Sequence, residues 1–140
     1  MVVTLPRPIY DAMVAHVRAG YPDEACGILA GDDATDTATK IFPARNAAED
    51  PSDFSIIDGP ELLDIWNEID GNDWCVLSYF HSHPRSPAYP SPRDIQYAKN
   101  WPGTYYLIFT LMDDPDTPQL RAFLVDGDQV SEHEIAIVEA

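Results

Sequence analysis

Trp74-Cys75-Val76-Leu77-Ser78-Tyr79-Phe80 is a nearly unbroken apolar run, and residues 105–112 form a second one after Gly103. A run of this length fits a strand covered on both faces better than an amphipathic helix. Two such strands require layers of structure on either side of them. Three segments can supply helices. Pro8 suits a first helical position, and Ile9, Met13 and Val17, with Tyr10 and Val14 beside them, share one face before Gly20 and Pro22 stop the helix. Pro60 opens a second helix with a stripe of Leu62, Ile65, Trp66 and Ile69, ended by Gly71. Ser91-Pro92-Arg93-Asp94 begins a third, running to about Asn100. The remaining strands are predicted at residues 23–31, entered through acidic residues, and at 37–42, paired with the first across a polar turn. Residues 120–125 and 129–138 flank Asp126-Gly127-Asp128, a hairpin turn signal. Residues 45–53 read as polar loop and 54–57 as a short extended piece. This order predicts an α/β fold with a mixed sheet and helices against its faces. Its 140 residues are the size of one domain, spanning 1–140.

Charge narrows the function classes. Asp and Glu number 24 against 8 Lys and Arg, for a formal net charge of -16. Such a surface repels nucleic-acid phosphates and anionic membranes, so neither is expected as a partner. Lys40 and Lys99 are the only lysines. An acid-rich, lysine-poor surface suits a high-salt cytoplasm, where charge is strongly screened. The apolar runs are too short to cross a bilayer, and the first residues lack the apolar core of a signal peptide, so the expected compartment is cytoplasmic. Cys26 and Cys75 each lie in an apolar run, as buried free thiols do, and no CxxC appears.

The chemistry concentrates where the first apolar run ends, at His81-Ser82-His83-Pro84. In an extended segment, side chains two apart lean to the same side. Four prolines, Pro84, Pro87, Pro90 and Pro92, stiffen the loop that leads to Asp94. Two imidazoles and a carboxylate make a first shell for Zn²⁺ with one position left for water, the mark of a catalytic site. Each residue also has a plain structural role open to it. A histidine at a strand end is commonly a hydrogen-bonded structural group. Ser91-x-x-Asp94 has capping-box spacing, with Pro92 at the first helical position. Ser91 is an ordinary N-cap or a hydroxyl aimed at oxyanion charge. Glu24 is a solvated residue at a strand mouth or a carboxylate that takes a proton from water. Ser82 has a local hydrogen-bonding role. His16 and His133 read as surface residues.

Taken together, Glu24-Ala25-Cys26-Gly27, His81-Ser82-His83-Pro84 and Pro90-Ser91-Pro92-Arg93-Asp94 resemble the JAMM motif of the MPN-plus, or JAB-domain (Mov34/MPN/PAD-1), metalloproteases. That motif joins a glutamate, a His-x-His-Pro and an aspartate preceded three residues earlier by serine. The likeness extends from about Ile9 to about Val125. It implies a three-layer α-β-α sandwich resembling cytidine deaminase, although a deaminase itself is disfavoured because no H-x-E followed by P-C-x-x-C occurs. It further implies a zinc metallopeptidase in which His81, His83 and Asp94 hold Zn²⁺, Glu24 shuttles the proton and Ser91 steadies the oxyanion. Relatives cleave the amide or isopeptide bond after the Gly-Gly tail of ubiquitin-like proteins, held as an added strand. Phe54, Ser55 and Ile56 lie where they contact that tail. The short chain is most similar to small prokaryotic members that release an amino acid or peptide, for example cysteine, from a ThiS-like sulfur carrier. Two alternatives follow from the same resemblance: removal of a ubiquitin-like modifier from proteins, and an inactive MPN-type scaffold that only binds partners.

Overall fold

The computed structural model describes residues 1–139. Its elements run β1 (Val2–Pro6), α1 (Arg7–Gly20), β2 (Cys26–Asp32), β3 (Thr37–Ala44), α2 (Gly59–Gly71), β4 (Cys75–His83), α3 (Pro92–Ala98), β5 (Tyr105–Thr110), β6 (Gln119–Asp126) and β7 (Gln129–Val138). The sheet is mixed as expected. β1/β3, β1/β7 and β4/β5 are parallel, while β2/β3, β2/β4, β5/β6 and β6/β7 are antiparallel. The hairpin between β6 and β7 closes on Gly127-Asp128, with Gly127 at φ +60°, a conformation that costs glycine nothing.

Two features depart from the sequence reading. The chain opens with a strand, β1, that has no counterpart in the expected order. It pairs in register with β7 from Val2↔Glu134 to Pro6↔Val138 and touches β3 at Thr4↔Thr37. That pairing closes the sheet into a barrel in the order β1-β3-β2-β4-β5-β6-β7, where a sandwich would leave it open. β4 also runs on through His83, so both histidines belong to the strand itself.

The helices bury opposite faces. Met13 and Val17 of α1 join Leu29, Leu77, Phe80, Leu107 and Phe109 in one core. Ile65 and Ile69 of α2 and Ala98 of α3 join Ile28, Tyr79, Tyr106 and Ile108 in the other. Alternation along β5 divides its residues between the two, as the period of two requires. Gly27 on β2 allows β4 to come close. A β-carbon there would lie 2.6 Å from the Phe80 ring and 2.7 Å from the Phe42 carbonyl. Both thiols are free. Cys26 is buried, and burial pushes its thiol up to about 12, whereas Cys75 is only half-buried. Trp66, expected in the apolar stripe of α2, is 40% exposed. No described helix is long and apolar enough to cross a membrane.

Candidate metal centre

β4 presents His81 and His83 on one side, two residues apart. Asp94 reaches them from the first turn of α3, and Glu24 from the mouth of β2. Three of these residues converge tightly. His81 Nε2 and His83 Nε2 lie 3.1 Å apart, and Asp94 Oδ2 lies 3.3 Å from the first and 3.1 Å from the second. Ligands of a tetrahedral Zn²⁺ at about 2.0–2.1 Å stand roughly 3.3 Å from one another. The three atoms therefore already have the mutual spacing of one cation's ligands. Ligand atoms of Glu24, His81 and His83 also lie within 4.8 Å of one another. Two carboxylates thus border the imidazole pair, and all four residues are buried.

The surroundings prepare this arrangement. His83 Nδ1–H donates to the Pro87 carbonyl at 2.8 Å, which leaves Nε2 with its lone pair for a metal. The proline-rich loop thereby fixes a tautomer as well as a path. Asp94 carries both of its possible roles at once. Its N–H donates to Ser91 Oγ at 3.1 Å, and its Oδ2 accepts from the Ser91 N–H at 2.9 Å, a complete capping box. The cap aims the same oxygen that meets the imidazoles. Burial works to raise the Asp94 carboxyl, but the two imidazoles and the Ser91 N–H outweigh it and hold it well below the usual carboxylate range. For His83, burial pulls the imidazole down, while its bonds to Asp94 and Pro87 raise it above the ordinary value overall. Burial pushes the Glu24 carboxyl up, against the pull of both imidazoles. Among the described residues, Glu24 Oε1 and His81 Nδ1 are buried without a hydrogen-bond partner. A buried carboxylate oxygen without a partner is costly unless something else meets it. An anionic and imidazole donor set containing such an atom fits a divalent cation and a water.

Glu24 is held by its backbone. Its N–H donates to the Pro51 carbonyl at 2.7 Å, and its carbonyl accepts from Asn46 Nδ2 at 2.9 Å. Ser82, between the two histidines, ties β4 to this point: its Oγ accepts from Ala25 N–H at 2.9 Å and its own N–H donates to the Ala25 carbonyl at 3.0 Å. Asn46 is a residue that sequence reasoning missed. Its Nδ2 also donates to the Phe54 carbonyl at 2.9 Å, while its Oδ1 accepts from the N–H groups of Ala48 and Ile56 at 3.0 and 3.3 Å. One amide thus pins both limbs of the loop after β3 to the backbone of Glu24. An asparagine in a polar loop gives no sequence signal beyond a turn preference.

The three residues expected at the substrate tail differ in position. Ser55 is buried with its hydroxyl bonded to Tyr79 Oη at 2.8 Å, so it anchors the loop to β4 and its side chain is closed to a substrate. Ile56 is held to Asn46 through its backbone. Phe54 faces a shallow apolar groove with Pro92, Gln96 and Tyr97, under the Arg93 guanidinium at 4.1 Å from its ring. Of the two remaining histidines, His16 Nε2–H donates to the Cys26 carbonyl at 2.8 Å. His133, expected to be exposed, is half-buried edge-on to Tyr105.

The sequence matches the family described as prokaryotic homologs of the JAB domain over residues 6–125. This chain belongs to the JAB-domain family. It is 34% identical over 138 residues to the CysO-cysteine peptidase of Mycobacterium tuberculosis, covering 99% of this chain and 92% of that protein. It is also 34% identical to a desampylase of Haloferax volcanii, covering 91% of this chain and 90% of the relative. The solution structure of DSY2949 from Desulfitobacterium hafniense superposes with a TM-score of 0.86 at 35% identity, covering all of this chain and 94% of that one. A JAB1/MPN domain protein of Archaeoglobus fulgidus, AF2198, shares the fold at TM-score 0.63 and 19% identity, over 98% of this JAB domain and the whole of that chain.

Proposed function

We propose that this JAB domain is a zinc-dependent metallopeptidase that hydrolyses the amide bond after the C-terminal Gly-Gly tail of a sulfur-carrier or other ubiquitin-like protein in the cytoplasm. The observation that carries the reading is the convergence of His81 Nε2, His83 Nε2 and Asp94 Oδ2 within 3.1–3.3 Å of one another. Those three residues would hold the cation. Asp94 is preferred to Glu24 as the third ligand because its Oδ2 stands 3.3 and 3.1 Å from the two imidazole nitrogens, whereas the Glu24 ligand atom is placed only within 4.8 Å of them. Zinc would supply Lewis-acid polarisation of the carbonyl and bring the pKa of water from about 15.7 to about 7.

The remaining steps belong to side chains of this chain. Hydrolysis adds hydroxyl to the carbonyl carbon and a proton to the departing amine. Glu24, with a carboxyl that burial raises and one oxygen unpartnered, takes the proton from the attacking water and returns it to the amine nitrogen. Ser91 Oγ accepts from Asp94 N–H and still has its own O–H to donate to the oxyanion. The cytidine-deaminase-like layering remains part of this reading, supported by α1 and the α2/α3 pair burying separate cores. The desampylase relative supports a second reading, removal of a protein modifier, by the same chemistry.

Glu24→Gln tests the assignment. The variant should bind zinc at wild-type stoichiometry and lose turnover of a carrier–cysteine adduct by about 10²-fold or more. Near-normal turnover by the zinc-loaded variant would remove Glu24 from the mechanism.

A further inference from the structure

With 24 acidic side chains against 8 basic ones, a basic group here ordinarily finds a carboxylate. Arg7, Arg18, Lys40, Lys99 and Arg121 do so, pairing with Glu139, Asp116, Glu68, Asp128 and Glu132. Arg45, Arg85 and Arg93 make no ion pair among the described residues, and two of them, Arg85 and Arg93, stand beside His83 and Asp94 in sequence. Arg93 lies over the Phe54 ring. Arg45 directly precedes the loop hub Asn46. Arg85 alone lines the polar cleft of about 230 Å³ shared with Glu24, His83 and Ser91.

The head of Arg85 is already oriented. Its Nη2–H donates to the Ser52 carbonyl at 3.0 Å, which ties it to the loop that crosses Glu24. The other guanidinium donors remain available in a fork that matches a carboxylate. Asp53 lines the same cleft but forms no ion pair with Arg85. The cleft thus holds a guanidinium that has no ion-pair partner, and it shares that cleft with Glu24, the residue that would protonate the leaving amine. When that amine belongs to an amino acid, its α-carboxylate lies two bonds away. When it belongs to a lysine side chain, a methylene chain stands there instead and offers the guanidinium nothing.

We propose that Arg85 receives the free α-carboxylate of the leaving residue, so that this cleft selects a single C-terminal amino acid attached after the Gly-Gly tail. The inference rests on the peptidase reading above and specifies its substrate. It sets release of an amino acid ahead of cleavage at a lysine side chain or an internal peptide bond.

Two synthetic peptides ending in Gly-Gly-Cys, one a free acid and one a C-terminal amide, provide the test. Steady-state hydrolysis would be measured for the zinc-loaded wild type, Arg85→Gln and Arg85→Lys. Binding of both peptides would be measured by calorimetry on Glu24→Gln, with and without Arg85→Gln. The wild type should favour the acid by roughly ten- to hundredfold in kcat/KM, mainly through KM, as a charge-assisted hydrogen bond implies. Arg85→Gln should bring the acid down to the level of the amide, and Arg85→Lys should keep part of the preference. The calorimetric preference should follow the same order. Equal use and equal binding of the two peptides by proteins that retain Arg85 would overturn the proposal. So would an Arg85→Gln effect equal for both peptides, which would leave Arg85 only as a latch on Ser52. Hydrolysis of neither peptide, with the binding preference intact and dependent on Arg85, would sink the peptidase reading and keep the carboxylate site.

Discussion

Asp94 and His83 form a pair whose two members stabilise the fold over opposite directions of pH. Without metal, the depressed carboxyl of Asp94 contributes stability that is complete above the unfolded value of about 3.9 and lost as pH falls through the folded one. His83 is raised, so its contribution is complete below about 6.5 and lost as pH rises through its folded value. The metal-free protein should therefore gain most from this pair between roughly pH 4 and 6.5. Thermal unfolding across pH should show that gain, and Asp94→Asn should flatten it. Metal binding requires the imidazoles neutral, so protons compete with the cation. Zinc content measured on dialysis should fall as pH drops below about 6, and unchanged stoichiometry at pH 5 would require a very high affinity. Asp94→Ala should also remove the reciprocal half of the capping box, the bond from Ser91 N–H to Oδ2, while the bond from the Asp94 N–H to Ser91 Oγ stays; in chelator-treated protein that loss should cost about 1 kcal/mol of stability against wild type. The grouping of His81, His83 and Asp94 was legible through the motif they share with the family, since His-x-His alone is a weak signal and the Ser91-x-x-Asp94 spacing describes a cap equally well. Asn46 and Arg85 were not legible, because their significance lies in contacts that no local pattern encodes.

At the level of elements, buried strands and capped helices declared themselves best. β4 and β5 could be read from uninterrupted apolar runs, and α3 from Ser91-Pro92 and Asp94. β1 was missed because only Val3 and Leu5 of its five residues are buried and its main partner, β7, lies at the far end of the sequence. The loop after β3 was read as merely polar, yet its polarity is consumed internally by Asn46, Ser55 and the Glu24 backbone. Loops held this way act as fixed walls of a site. Asn46→Ala should accordingly keep wild-type zinc stoichiometry while lowering kcat/KM by roughly ten- to hundredfold, the scale of a small misplacement of catalytic groups. Asn46→Asp retains the acceptors and loses the donors to Glu24 and Phe54, and it should fall between the two. Metal analysis beside steady-state kinetics distinguishes this from simple loss of the centre.

For the whole molecule, a net charge of -16 opposes compaction in dilute buffer. Salt shortens the range of that repulsion to about 3 Å at 1 M. The melting temperature should rise between low and molar KCl, by roughly 3–5 °C for each kcal/mol of repulsion relieved. A flat response would show that the acidic surface is not tuned to salt. Overall charge was fully legible in composition, whereas the closure of the sheet was not, since it depends on strands more than 130 residues apart. Joining Val2–Pro6 to Gln129–Val138 is among the most non-local pairings a chain of this length can make, and loops that long are entropically slow to close. A nascent chain cannot complete the seam between β1 and β7 until residues 129–138 have been synthesised. Until then the residues destined for the seam expose unpaired backbone, and the protein's exposure to aggregation is concentrated in that interval.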